Sequence, residues 1–143
     1  MRAGAVERLG LAVMALSSVA VGAWAVLDPR GFYDSFPGAG RHWVSVDGPY
    51  NQHLVRDVGS LNLALAVLAA VAAWKLGPVL VRTAAVALLA NSVPHLAYHA
   101  THLSVYGTSD KIANLISLGL AVAIPCVVLV ASLAPAGRRR RAR

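Results

Sequence analysis

The sequence predicts an all-α integral membrane protein, folded as a left-handed four-helix bundle of one domain. Of its 143 residues, 57% are hydrophobic and 13% are charged. Four runs contain no Asp, Glu, Lys or Arg, namely 9–27, 58–74, 83–109 and 112–137. About 20 mostly apolar residues are enough for one helix to cross a bilayer core. The runs are rich in Ala, Val and Leu and lack the period-2 alternation of barrel strands, which favours helices.

The first predicted helix spans 6–27. Its basic flank and the Ala-Trp-Ala triplet at 23–25 also fit a secretory signal. The apolar run is longer than the roughly 7–15 residues of a signal's apolar region, which favours an uncleaved helix. Ser18 and Gly22 are small residues four apart, a spacing that lets another helix approach closely.

One long loop, 28–48, separates the first two helices and is unusually aromatic. Four large rings occupy it: Phe32, Tyr33, Phe36 and Trp43. Rings of this kind prefer the membrane interface. We therefore expect the loop to fold back over the outer helix ends as a cap. His42 fits an interfacial role better than a ligand role.

The other three helices are predicted over 49–75, 79–103 and 110–134. Pro49 suits a first helical turn, with the preceding Asp or Gly as the cap. Pro94 lies inside the third helix and should bend it. Short connections make each of these helices antiparallel to its neighbour in the chain.

The basic residues predict the orientation of the bundle. The formal net charge is +7. Lys75 and Arg82 flank the second connection, and a basic tail occupies 135–143. The positive-inside rule therefore places both termini and this connection in the cytoplasm, in a multi-pass cell-membrane protein. Basic residues beside membrane segments favour contact with anionic lipid rather than nucleic acid. The single cysteine, Cys126, excludes an internal disulfide.

Polar residues inside the helices recur at helical spacing and converge on one level of the bilayer. The third helix carries Asn91, His95, His99 and His102, the second carries His53 and Asp57, and the fourth carries Asp110 and Asn114. Residues three or four apart share a helix face. The predicted topology brings all three sets to the outer leaflet. We expect them to line one polar pocket beneath the loop, with Asn91, His102, Asp110 and Asn114 lining it and the other four at its centre.

Three chemistries fit this pocket, since ionisable groups inside a membrane suggest function by default. His53, Asp57, His95 and His99 form a natural ligand set for a Zn, Fe or Cu ion. One histidine from each of two helices would also suit the axial positions of a haem iron. His–Asp pairs can act as acid and base on a lipid-soluble substrate. Against these stands a purely structural network that only holds the bundle together.

Two stretches, "FPGAGRHWVSVDGPYNQHLVRDVG" and "VPHLAYHATHL", resemble small bacterial four-helix membrane proteins of no assigned function. In architecture the chain is similar to DoxX-like proteins. The resemblance covers about half of the chain and implies four membrane helices, without any catalytic residue to transfer.

The sequence thus favours a membrane protein with a metal or haem pocket in the outer leaflet. The bound metal or haem would suit redox chemistry. The alternatives are a non-catalytic scaffold or subunit and an acid–base enzyme. Expected partners are the bilayer, a lipid-soluble small molecule or another membrane subunit. A transporter is disfavoured because few polar residues occupy the inner half, 61–89.

Overall fold

The computed structural model describes residues 3–134 as helices and short connections, with no β-strand in that range. The α-helices are α1 (Ala3–Leu27), α2 (Pro29–Ser35), α3 (Gln52–Lys75), α4 (Pro78–Thr101) and α5 (Thr108–Ser132), and a 3₁₀ helix covers Leu103–Val105. α1, α3, α4 and α5 are long and apolar enough to cross a membrane. The predicted all-α class with four membrane-length helices is confirmed. The basic tail, 135–143, lies outside the described residues.

The four long helices form a ring in which each packs against two neighbours. α1 contacts α3 and α5, and α4 contacts the same two helices from the other side. The α1–α3 and α4–α5 interfaces are the most extensive, and α3–α4 is the sparsest of the four. We call the end that carries α2, the connection 36–51 and the start of α5 the loop end.

The core between the helices is built largely from small residues. It contains Leu11, Met14, Ala15, Leu65, Ala69, Ala72, Ala73, Val81, Ala84, Ala85, Leu88 and Val128. Small side chains let helix backbones approach closely where lipid offers no competing hydrophobic force. α1 and α3 cross closely, since a Cβ on Gly22 would lie 2.8 Å from the backbone oxygen of Gly59. Ser18 is also buried, so the close approach predicted at Ser18 and Gly22 is confirmed.

Several helix boundaries differ from the predicted ones for local reasons. α3 begins at Gln52 rather than 49, because the side-chain oxygen of Asn51 accepts the N–H of Leu54 at 3.1 Å and caps the helix there. α4 ends at Thr101 rather than 103, and α5 spans 108–132 rather than 110–134. The helix α2 was not predicted; Asp28 caps it by accepting the N–H of Gly31 at 2.9 Å.

The aromatic residues of the loop pack against the helix ends. Trp24 of α1 contacts Phe32 and Phe36, with ring centroids 5.7 and 6.1 Å apart, and Phe36 contacts Trp43 at 6.3 Å. Phe32 and Trp43 are buried. The phenol of Tyr33 donates to the carbonyl of Gly48 at 2.6 Å and ties the connection to α2. The loop therefore folds back onto the bundle, as its composition indicates.

Candidate functional site

Asp110, in the first turn of α5, anchors the loop. Its Oδ1 atom accepts the indole N–H of Trp43 at 2.8 Å and also pairs with the guanidinium of Arg41. The side chains of Arg41 and Asp110 are 34% and 29% exposed, so the pair is partly shielded from solvent. We call Arg41, Trp43 and Asp110 the loop clasp.

Tyr106, in the connection between α4 and α5, links the clasp to the histidines of α4. Its hydroxyl donates to the carbonyl of Trp43 at 2.9 Å. The phenol oxygen of Tyr106 also lies 3.4 Å from the Nδ1 atom of His99. Burial, with a smaller contribution from the charge of Asp47, raises the pKa of Tyr106 to about 12. The phenol therefore stays protonated and keeps its bond to Trp43. Because its proton is donated to Trp43, the phenol oxygen can only accept a hydrogen bond from His99. This contact therefore requires the His99 tautomer that carries its proton on Nδ1 and its lone pair on Nε2.

His95 and His99 form a contacting pair on α4. Their ring centroids lie 4.8 Å apart with an edge-to-face orientation. His99 is buried and His95 is exposed. Asp47 of the loop interacts electrostatically with both imidazoles. We call His95, His99, Tyr106 and Asp47 the histidine site.

The predicted pair His53 and Asp57 is formed, but it lies away from the histidine site. The Nε2 atom of His53 is 3.3 Å from Oδ2 of Asp57, and the two side chains are 87% and 57% exposed. They occupy the side of α3 opposite its buried residues. Within residues 3–134, no three His, Cys, Asp or Glu side chains come together to hold a metal ion. The predicted four-ligand set is therefore not assembled in one chain.

The remaining predicted pocket residues divide between the surface and the interior. Asn91 and His102, which were expected to line the pocket, are exposed. His102 lies over the ring of Tyr98 at 4.2 Å, with its Nδ1 2.8 Å from the carbonyl of Tyr98. Asn114, also expected to line the pocket, is buried one turn beyond Asp110. Its side-chain oxygen and the buried hydroxyl of Ser92 have no hydrogen-bond partner in the described part of the chain.

Sequence reasoning missed several residues of the histidine site and the loop clasp. Asp47, Tyr106 and the two loop residues of the clasp lie outside the predicted helices, where spacing gives no relation to a helix face. Ser92 could have been found, because it precedes His99 by seven residues and so shares its face.

Comparisons of the chain with protein-family models, curated proteins and solved structures give no match. The fold and the site define the class of this protein: a helical protein with four membrane-length helices, a loop held down at one end and a polar histidine site beside that loop.

Proposed function

We propose that this is a multi-pass membrane protein that binds a transition-metal ion, zinc above all, through His95 and His99. The observation that carries the proposal is the contact between two imidazoles one helical turn apart. Two histidines at this spacing on one helix can bind the same zinc ion. Tyr106 supports the assignment because a histidine ligand usually donates its second ring N–H to an oxygen, which orients the ring.

The histidine site would supply two protein ligands and leave other positions open. A zinc site with open positions holds water or substrate there, which is the arrangement of catalytic rather than structural zinc. The negative charge of Asp47 near both rings favours a cation. Haem is less well supported, because two histidines on one helix cannot take opposite axial positions and His53 faces away.

Metal titration of the purified protein in detergent micelles tests the proposal. Wild-type protein should bind one Zn²⁺ or Co²⁺ per chain at this site, and Co²⁺ should give visible absorption bands. His95→Gln and His99→Gln should each abolish this site. Tyr106→Phe should weaken it by about 10- to 100-fold, the usual effect of losing a group that orients a ligand.

His42→Gln is the matched control, because His42 contacts the carbonyl of Asp34 in the loop and not the histidine site. It should leave Zn²⁺ affinity at the wild-type value. Unchanged titration of the His95 and His99 variants would rule the site out.

The second candidate is a non-catalytic membrane subunit whose polar residues hold the loop in place. The loop clasp favours it, because Asp110 and Tyr106 both bind loop groups directly. In that case the wild-type protein takes up no metal at His95 and His99, and changes in the clasp alter only the loop.

We also propose that the loop end faces outward from the cell membrane and that both termini are cytoplasmic. The support is the charge of the opposite end, where Arg8, Lys75 and Arg82 lie, together with the basic tail in the sequence. A reporter fused after Arg143 should be active only in the cytoplasm; activity outside would reverse the orientation.

A further inference from the structure

The outward face of α3 carries polar residues where lipid would be expected. Seven positions separated by alternating steps of four and three lie on this face and are all exposed: His53, Asp57, Ser60, Ala64, Val67, Val71 and Trp74. We call them the α3 stripe. The three nearest the loop end are polar. Asp57 lies about 7.5 Å along the axis from the start of α3 at 1.5 Å per residue, so it falls within the membrane-length segment.

An ionisable side chain facing lipid is costly and normally lies against protein or another polar group. Residues 3–134 do not provide that cover. α3 meets the bundle through Val55, Ala66, Ala69 and Ala73, on the side opposite the stripe. The side chains of His53 and Asp57 are 87% and 57% exposed, so the described part of the chain leaves most of their surface uncovered.

We propose that the α3 stripe is the interface between two copies of this chain, and that the pairing brings His53 and Asp57 from each copy around one zinc ion. A two-fold axis along the membrane normal keeps each residue at its own depth. It therefore places the His–Asp pair of one copy opposite the same pair of the other, as an isologous interface requires.

The geometry of the pair suits half of a tetrahedral zinc site. Zinc–nitrogen and zinc–oxygen bonds of about 2.0–2.1 Å place neighbouring tetrahedral ligands about 3.3–3.4 Å apart. The Nε2 atom of His53 and Oδ2 of Asp57 are 3.3 Å apart. Two copies supply two nitrogens and two oxygens, the four ligands that a structural zinc site takes. A single copy supplies only half of them.

The same symmetry explains why a second copy alone, without a cation, is insufficient. Two Asp57 carboxylates brought together at this depth would repel each other, because buried like charges need compensation. A zinc ion between them removes the repulsion. The stripe also suits helix pairing, since alternating steps of four and three form the seam of left-handed helix pairs, and Ser60 and Ala64 allow close approach.

Cross-linking in membranes tests the interface with the full-length chain. Cys126 is first changed to Ala, because it is the only cysteine and is exposed. Val67→Cys, on the stripe, should then give a dimer with a thiol oxidant. Val58→Cys is the matched control: it is exposed but lies nine residues away, about 180° around the helix at 100° per residue. It should give little dimer.

Zinc dependence tests the metal site. A chelator should reduce the Val67→Cys dimer by more than about 10-fold, and Zn²⁺ should restore it, as expected for loss and return of a coordinated ion. His53→Gln and Asp57→Asn should prevent that restoration. His102→Gln should not, because His102 is exposed just after the end of α4, at the same end of the bundle.

Zinc content separates this interface from the histidine site. The interface accounts for one Zn²⁺ per two chains, which His53→Gln removes and His95→Gln leaves in place. If zinc binding at the histidine site fails, the zinc ion at the interface is therefore unaffected. A Val67→Cys product containing a different protein, a dimer unaffected by chelator, or equal dimer yield from Val58→Cys would each overturn the proposal.

Discussion

Two His-containing pairs with identical spacing lie in different environments. His53 and Asp57 on α3 are both exposed and face outward. On α4, His99 is buried beside Tyr106, whereas His95, four residues before it, is exposed. The comparison shows that spacing establishes which residues are neighbours on a helix. It does not establish which side of the helix faces the bundle.

The rotation of each helix about its axis follows from its packing residues. In α3, Gly59 meets Gly22 of α1, and this close crossing fixes which side of α3 faces inward. His53 is six residues from Gly59, which separates the two by about 120° around the helix, and so His53 points away from this crossing. In α4, the buried Val81, Ala85 and Leu88 continue along one face to Ser92 and His99. The two pairs differ because their helices are rotated differently.

The largest expected effect comes from disturbing the crossing that sets this rotation. Gly22→Ala would place a Cβ 2.8 Å from a backbone oxygen of α3. Because this atom belongs to the backbone, it can move away only if the helix shifts with it. We expect a loss of about 1–3 kcal/mol in the free energy of unfolding, as for other overpacked cores. Denaturation in mixed detergent micelles measures it.

Gly119→Ala is the matched control, since a Cβ at Gly119 of α5 meets nothing within 4 Å. It should be neutral or stabilise by up to about 1 kcal/mol through helix propensity. Equal destabilisation by the two changes would mean that the α1–α3 crossing does not determine the packing.

A smaller effect, confined to the loop, should follow from removing an aspartate. Asp110→Ala leaves the indole N–H of Trp43 and the guanidinium of Arg41 without their acceptor. A protease should then cut the connection 36–51 several-fold faster than in the wild type. Asp57→Ala removes the same group from the outward face and should leave the cleavage rate unchanged. Matching rates for the two variants would show that the clasp does not hold the loop.

The smallest effect concerns the proton of Tyr106. Its pKa is about 12 in the folded chain against 10 for an ordinary tyrosine, mainly because of burial. Below pH 10 the phenol is protonated in both states and its stabilising contribution is complete. Between pH 10 and 12 the unfolded chain loses the proton first, so this stabilisation declines as the pH rises.

An ultraviolet titration should therefore show one of the four tyrosines ionising last. Tyr106→Phe should remove that last step and cost about 1 kcal/mol, the usual contribution of one hydrogen bond. Tyr98→Phe is the control, because Tyr98 is 45% exposed. If Tyr106→Phe left the last step in place, the link between Tyr106 and Trp43 would be wrong.

Much of the fold could be predicted because the bilayer constrains it. Charge-free runs of membrane length correspond to α1, α3, α4 and α5, and the ends of α1 and α3 at Leu27 and Lys75 agree with the predicted ones. The start of α3 was missed because both Pro49 and Asn51 are good helix-start residues. Only the capping hydrogen bond that the N–H of Leu54 donates to the side chain of Asn51 selects the second.

The candidate site was predicted only in part. His95, His99, Asp110 and Asn114 were expected near the loop end, but Asp110 binds the loop instead of lining an open pocket. Asp47 and Tyr106 come from connections, whose residues approach the helices through turns that periodicity does not describe.

The sequence by itself determined the helical class, the four membrane-length segments and the pairing of residues within each helix, because these depend on local hydropathy and on 3.6 residues per turn. The tertiary structure alone decided which members of these pairs are buried, since that depends on how Gly22, Gly59 and the alanines of neighbouring helices fit together. Contacts between distant segments, such as Trp43 with Asp110, follow from this packing and have no signal in local spacing.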